Sequence, residues 1–180
     1  MVGNFRRRET RKTQKGGNMT DEIKKGAILS DDRKHRFILT RTWDADRPQV
    51  LFIGVNPSTA DENNDDPTIR RCIGFAKRWD FGGLMMANLF SIRATDPKEM
   101  KASDEPNLEI NDLWLKNAAT KCSFVVAAWG NHGKHLNRDK EVRELMRVYE
   151  VPLFCFGITK SKQPLHPLYQ KNDAKLYGYE

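Results

Sequence analysis

The feature that most constrains this chain is a set of short, continuous runs of β-forming apolar residues with no helical period. Runs of this kind are typical of strands that are buried on both faces of a parallel sheet. Four buried strands are predicted, at Val50–Ile53, Leu84–Phe90, Phe124–Trp129 and Val151–Phe156. A further strand is predicted ahead of them, at Lys34–Trp43.

Helical patterns separate the buried strands. Asp66 and Pro67 are favourable residues for a helix N-cap and first helical position, and apolar residues follow at helical spacing up to Trp79. Further helices are predicted at Pro106–Lys121 and Arg138–Glu150. Because helices that join parallel strands make right-handed crossovers, we predict an α/β fold: a single-domain three-layer sandwich with a central, mostly parallel sheet of about four strands.

The composition is that of a soluble globular protein. The chain has 180 residues, of which 38% are hydrophobic and 31% charged, and this length suits one domain with its own core. No apolar run approaches the roughly 18 residues that span a membrane, and no secretory signal is recognisable. Cys72, Cys122 and Cys155 are too few and too scattered for a disulfide framework, a metal pair or a four-cysteine iron–sulfur cluster. We expect a cytoplasmic protein without metal or cofactor, and a monomer.

The positive charge is concentrated at the amino terminus. Of the formal net charge of +7, residues 1–20 contribute +5, so that the remaining residues are nearly neutral. Residues 1–30 are predicted to be a basic, disordered tail that precedes a single domain at 31–180. Residues 1–18 are hypothesised to lie upstream of the natural start, because Lys15–Gly17 before Met19 is what a translated ribosome-binding site would spell. A basic tail can hold phosphates without sequence preference.

Polar residues follow each buried strand. The loops read N-P-S-T-A-D, S-I-R-A-T-D-P, G-N-H-G-K and I-T-K-S-K-Q-P-L-H-P-L. Open α/β sheets bind ligands at the carboxyl edge of their strands, which is where these loops would meet. Asn56 by itself also fits an ordinary turn, since Gly, Asn and Pro are common turn residues. The convergence of the loops therefore predicts a ligand site at this edge.

Four of these segments, in order, resemble motifs of the uracil-DNA glycosylase superfamily. Gly54–Ser58 (G-V-N-P-S) is similar to its first motif, and Leu84–Leu89 to the apolar strand that ends in a base-reading Asn. Phe124–Gly133 resembles the strand that ends in W-G-x-H-A, and Pro164–Leu168 (P-L-H-P-L) resembles the motif H-P-S-P-L. The stretch from about residue 35 to 170 more closely resembles the bacterial and phage family DUF1643, which has no settled activity.

The resemblance implies a uracil-DNA glycosylase-like fold and an enzyme that hydrolyses the N-glycosidic bond of a pyrimidine in DNA or a nucleotide. Such an enzyme must stabilise the departing base and position a water at the sugar. Asn56 would orient that water and His166 would donate a hydrogen bond to the base, which makes these two the predicted catalytic residues. Asn88 would pair with the base edge. The other predicted substrate-binding residues are Gly54, Val55, Pro57, Ser58, Trp129, Pro167 and Leu168.

Two departures from the superfamily pattern bear on the reaction. Asn56 stands where the most active members carry Asp, and an amide cannot act as a base at neutral pH. Ser58 stands where the classical enzymes have a Tyr that excludes a 5-methyl group, so the hypothesis is that the base is a pyrimidine modified at C5. Leu168 follows at shorter spacing than the intercalating Leu of the superfamily, which favours a packing role.

Simpler interpretations remain open at each position. His166 also fits a surface loop residue, and Asn88 an amide that holds a loop by hydrogen bonds. Phe75 and Phe90 fit core packing as well as base stacking.

The alternative to an enzyme is a nucleic-acid- or nucleotide-binding module that keeps the pocket without hydrolysis; a base-modifying transferase would need a second substrate. The expected partner is nucleic acid, with DNA first, or a nucleotide. Candidate phosphate contacts are Arg70, Arg71, Lys160 and Lys162.

Overall fold

A computed structural model describes residues 22–180, which form a seven-stranded sheet with helices on both faces. The predicted natural start and most of the predicted tail lie outside the described residues. The strands are β1 (Lys24–Leu29), β2 (Arg36–Thr42), β3 (Gln49–Gly54), β4 (Gly83–Asn88), β5 (Phe124–Ala127), β6 (Leu153–Cys155) and β7 (Tyr177–Gly178). The helices are α1 (Pro67–Arg78), α2 (Pro97–Ala102), α3 (Ile110–Lys121) and α4 (Arg138–Val148).

The sheet is mixed, with a parallel centre and antiparallel edges. Its spatial order is β1-β2-β4-β3-β5-β6-β7, and the strands from β4 to β6 run parallel to one another. β1, β2 and β7 pair in the antiparallel sense. The expected mostly parallel centre is therefore present, whereas the expected total of about four strands is wrong. The two strands that the sequence patterns did not predict, β1 and β7, lie at the edges of the sheet. An edge strand is not buried on both faces, so its sequence need not be a continuous apolar run.

The first strand corrects the predicted domain boundary. Lys24–Leu29 lie within residues 1–30, which were expected to be tail, but they pair with β2 along its whole length. The sequence K-K-G-A-I-L is half charged or Gly, and three of its six residues are exposed, so it does not resemble a strand when taken alone. The neighbouring strand supplies the hydrogen-bond partners that make it one.

Alternate residues of the central strands enter two different cores. Leu51 and Ile53 pack on the side of α3 and α4, whereas Val50 and Phe52 pack on the side of α1. This alternation is the expected period of a strand that is covered on both faces. Phe75 and Phe90 are buried in these cores at 0% and 1% exposure, so they are packing residues and not base-stacking residues.

Helix α1 begins where the sequence predicts. Oδ1 of Asp66 accepts a hydrogen bond from the backbone N–H of Ile69 at 2.8 Å, and Pro67 is the first helical residue. Helix α3 begins at Ile110, four positions later than predicted, after a loop that contains the short, unpredicted helix α2. The start of α1 and the carboxyl ends of β3, β4 and β5 border one cleft.

Candidate functional site

A single cleft of about 590 Å³ lies at the carboxyl edge of the parallel strands. This volume is within the range of roughly 300–1,000 Å³ that is typical of small-molecule pockets, so a base has room there together with its sugar. Three strand ends and the loop before residue 167 contribute to its walls. The predicted site residues that line it are Gly54, Val55, Asn56, Ser58, Asn88, Trp129 and His166.

The other three predicted site residues lie outside the lining of the cleft. Pro57 is buried beneath the loop, and its carbonyl accepts hydrogen bonds from the backbone of Ala94 and the side chain of Asn56. Pro167 is buried at the start of the 3-10 segment Pro167–Tyr169. Leu168, in the same segment, is 39% exposed. Pro57 and Pro167 therefore shape the loops that carry Asn56 and His166.

The side chain of Asn56 is held in one orientation by two backbone carbonyls. Its Nδ2 donates to the carbonyl oxygen of Ala94 at 2.7 Å and to that of Pro57 at 3.0 Å. With both amide hydrogens used, Oδ1 accepts no hydrogen bond within residues 22–180. Asn56 therefore presents an acceptor, which suits a water or a ligand N–H or O–H.

Asn88 presents a hydrogen-bond donor, whereas Asn56 presents an acceptor. Its Oδ1 accepts from Nη2 of Arg36 at 3.1 Å, so that Nδ2 is the group left to donate. Gly54 lies beside it on the neighbouring strand, and a Cβ at Gly54 would be only 2.7 Å from that Nδ2. The glycine is required because this amide approaches the backbone so closely. The cleft thus offers an acceptor at position 56 and a donor at position 88.

His166 is held as a neutral imidazole. The backbone N–H of Leu168 donates to its Nδ1 at 3.3 Å, which leaves the proton on Nε2. Burial lowers the pKa of His166 from its usual 6.5, and the nearby carboxylate of Asp66 raises it by a smaller amount. At neutral pH the ring can therefore donate one hydrogen bond without carrying a charge.

The indole ring of Trp129 is held in place by a chain of hydrogen bonds. Its indole Nε1–H donates to Oε1 of Gln163 at 2.9 Å, and Nε2 of Gln163 donates to the buried carboxylate of Asp139 at 2.8 Å. Gly133 packs against the indole so closely that a Cβ there would lie 2.2 Å from the ring. With an exposure of 1%, Trp129 is a rigid wall of the cleft.

A family model described as a protein of unknown function, DUF1643, matches residues 36–168. The chain belongs to this family. The match contains every residue named above as lining the cleft, and also Arg36 on β2, which borders the cleft beside Asn88. No curated protein and no solved structure matches the chain.

Several residues of this DUF1643 cleft were not predicted. Arg36 lies within a predicted strand, and its charge directly before the apolar run F-I-L is a signal that sequence reasoning could have used. Tyr169 borders the cleft with 81% of its surface exposed, and its ring centre is 5.8 Å from that of His166. Other unpredicted lining residues include Asp66, Thr68, Asn131, His132 and Thr159.

The four candidate phosphate contacts differ in their surroundings. Arg71 is engaged with the side chain of Asn172 and the carbonyl of Gln170, so it anchors the carboxyl-terminal segment to α1. Arg70 donates to the carbonyl of Asp65. Lys160 and Lys162 are exposed in the loop that leads to His166. Only the two lysines thus present side chains that make no hydrogen bond within the described chain.

Residues 22–180 hold neither a metal-ligating cluster nor a membrane-spanning helix. Within that range no group of three or more His, Cys, Asp and Glu side chains is placed to hold a metal ion. Nor does that part of the chain contain a helix with the length and apolar character needed to cross a membrane.

Proposed function

We propose that this DUF1643 protein is a nucleobase-excising hydrolase, which cleaves the N-glycosidic bond of a pyrimidine in DNA or in a nucleotide. The observation that carries the proposal is the shared cleft: Asn56, Asn88 and His166 come from three separate segments and border one space. Their free groups are an acceptor, a donor and a neutral N–H donor, which is the set needed for a water and two ring carbonyls.

We propose the uracil-DNA glycosylase-like fold on similar grounds. The four segments that resemble that superfamily lie at the end of β3, along β4, along and after β5, and after β6, and each contributes residues to the cleft. The helix α1 begins at the same edge, after the loop that carries Ser58.

The proposed reaction assigns one role to each side chain. Nδ2 of Asn88 and Nε2–H of His166 donate to the ring carbonyls as the C–N bond breaks and its electron pair passes to the base. Oδ1 of Asn56 accepts a hydrogen bond from a water whose oxygen bonds to the anomeric carbon. The proton of that water is released to solvent, since an amide cannot take it.

Ser58 bears on the choice of base. It borders the cleft with a partly exposed side chain, at the position where the classical enzymes have a Tyr that excludes a 5-methyl group. A serine leaves space beside C5 of a bound pyrimidine. We therefore propose a pyrimidine with a substituent at C5 as the preferred substrate.

A single-turnover assay tests the proposal. Oligonucleotides that contain uracil, thymine or 5-hydroxymethyluracil are incubated with the protein, and free base is measured by mass spectrometry. We expect release from at least one 5-substituted substrate, reduced by roughly 100- to 1,000-fold in Asn56→Ala and His166→Ala. Asn63→Ala is the control, because this exposed amide lies outside the cleft and makes no side-chain hydrogen bond within the described residues.

The second candidate is a binding module without hydrolysis. It is favoured by Asn56 itself, because both amide hydrogens are committed to backbone carbonyls and the remaining oxygen cannot act as a base. Binding of the same oligonucleotides without release of any base would support this candidate and contradict the enzyme. Loss of binding in Asn88→Ala would then place the ligand in the cleft.

A further inference from the structure

Arg36 is a buried cation that has no carboxylate partner. It is 2% exposed, at the start of β2, and it borders the cleft. Nη1 donates to the carbonyl of Ala60 at 2.8 Å and Nη2 to Oδ1 of Asn88 at 3.1 Å. Nε makes no hydrogen bond, and no acidic side chain of residues 22–180 lies within salt-bridge distance of the guanidinium.

The other buried arginines of the described chain are neutralised. Nε of Arg41 lies 2.7 Å from Oδ1 of Asp65, and Arg138 contacts both Asp112 and Glu141. These pairs follow the usual rule that a buried charge is paired, because desolvation of an isolated ion is costly. Arg36 breaks a rule that the other two buried arginines obey, and it does so at the wall of the cleft.

The surroundings leave Arg36 charged at neutral pH. The pKa of Arg36 is lowered to about 10, chiefly by burial and in smaller part by the nearby cations Arg93 and Arg41. Asp66 and Asp61 raise the pKa, both from beyond salt-bridge distance. The positive charge is therefore only partly balanced by the protein, and the cleft is where a compensating negative charge can enter.

We infer that Arg36 makes this cleft select an anionic heterocycle, one that is ionised in its ring or carries an acidic ring substituent. The guanidinium acts through space and through Asn88, whose Oδ1 it holds so that Nδ2 donates toward the ligand. The inference rests on the cleft proposed above as the ligand site, but it does not require hydrolysis.

The same charge has a consequence for base release. When the C–N bond breaks, the electron pair moves to the ring nitrogen and spreads over the ring carbonyls. A fixed cation beside Asn88 stabilises that charge more than it stabilises the neutral substrate. Arg36 is thus a positioning residue. Its replacement should reduce the rate of release of a poor leaving base more than that of a good one.

The test measures affinity for free bases by calorimetry. Uracil-5-carboxylate and uracil-6-carboxylate are compared with thymine as the neutral ring, and 5-fluorouracil is titrated across its own ring ionisation. We expect one anionic form to bind at least about tenfold more tightly than thymine, as a hydrogen-bonded charge would give. The carboxylates report an acidic substituent, and 5-fluorouracil reports an ionised ring.

Variants assign the preference to Arg36. Arg36→Met and Arg36→Gln should bind the anionic and neutral ligands equally, whereas Arg36→Lys should keep part of the preference. Lys121→Met is the matched control, since it removes one charge from an exposed position at the end of α3, outside the cleft lining. Thermal unfolding of each variant separates loss of binding from loss of folding, and Arg36→Lys gives the readout if the neutral variants do not fold.

The outcomes separate this inference from the proposed activity. Equal affinity for all ligands in the wild-type protein, or a preference that survives Arg36→Gln, would overturn the inference even if base is released. Selective binding of an anionic ring without any base release would support it and would count against the hydrolase.

Discussion

At the scale of single residues, the structure changes the meaning of Asn56. In the resemblance to the uracil-DNA glycosylase superfamily, this residue is a departure from a catalytic Asp. The structure shows that Nδ2 of Asn56 donates to the carbonyl oxygens of Ala94 and Pro57, the second of which also accepts from the backbone N–H of Ala94. A carboxylate in the same place would direct an oxygen at two other oxygens, so the loop is built for an amide.

We therefore expect that Asn56→Asp does not increase activity. The carbonyl of Ala94 would lose this donor and that of Pro57 would keep only the backbone N–H of Ala94, which should destabilise the protein by roughly 1–3 kcal/mol. The loop after β4, which contains Ala94, should also shift, since this hydrogen bond ties it to Asn56. Urea unfolding and the rate of base release measure the two effects, with Asn63→Asp as a control that adds the same charge away from the cleft. A faster variant of unchanged stability would contradict this reading.

His166 predicts a particular pH dependence. Because burial lowers its pKa below 6.5, the ring is neutral at pH 7 and accepts from Leu168 through Nδ1. As the pH falls through the lowered pKa, Nδ1 gains a proton, the contact with Leu168 is lost and the ring is no longer held. We expect base release to be constant above about pH 7 and to fall on the acid side.

The measurement is the rate of base release between about pH 4.5 and 8. His166→Gln keeps a donor but cannot titrate, so the residual activity should lack the acid limb assigned to His166. Persistence of the same limb in that variant would show that another group causes it, and His132, which also borders the cleft, would be the first to examine.

At the scale of elements, the site depends on the register between β3 and β4. Gly54 pairs with Asn88 across these strands, and only a residue without a Cβ leaves room for the amide. Helix α1 contributes through its N-cap, which holds Asp66 beside the cleft. The functional groups thus lie at element ends, where backbone geometry determines their direction.

Gly54→Ala should impair ligand binding more than stability. The new methyl group would displace Nδ2 of Asn88, which is then unable to donate in its present direction, and we expect affinity for the cleft ligand to fall by about tenfold or more. Calorimetry measures the affinity and thermal unfolding measures the stability.

Gly74→Ala is the matched control for this prediction. Gly74 lies within α1, and a Cβ there would meet only a guanidinium nitrogen of Arg78, at 3.8 Å. The change should raise helix stability by roughly 0.5–1 kcal/mol and leave binding unaltered. Similar losses of affinity in both variants would remove the special role of Gly54.

At the scale of the whole molecule, the sheet extends beyond its parallel centre on both sides. β1 covers the edge of β2, the strand that carries Arg36, and β7 covers the edge of β6. Gly26 of β1 also accepts a hydrogen bond from Arg41, and Lys25 donates to the carbonyl of Asn63 in the loop after β3. The edge strand thereby supports the same loop that precedes α1.

Removal of β1 should therefore destabilise the protein. A chain that begins at Asp31 would leave the edge of β2 unpaired, and we expect a loss of about 2–4 kcal/mol together with a tendency to aggregate. A chain that begins at Glu22 keeps β1 and is the control. Urea unfolding and light scattering compare the two; identical behaviour would mean that β1 contributes little.

Much of this fold could be predicted from local pattern. The four parallel strands have continuous apolar runs because both faces are covered, and the start of α1 has the residues that its cap requires. The edge strands could not be predicted in this way, because K-K-G-A-I-L becomes a strand only against the backbone of β2. The short helix α2 was likewise missed within a polar loop.

The amino-acid order by itself determined which segments are buried strands, where α1 begins and which polar residues follow each strand, because these depend on neighbours a few positions away. Only the tertiary structure decided how the polar groups are directed. The amide of Asn56 is oriented by a carbonyl 38 positions away, and Asn88 is held by a guanidinium 52 positions away. Which group of each amide is left free to donate or accept is determined by such distant partners, which no local sequence pattern contains.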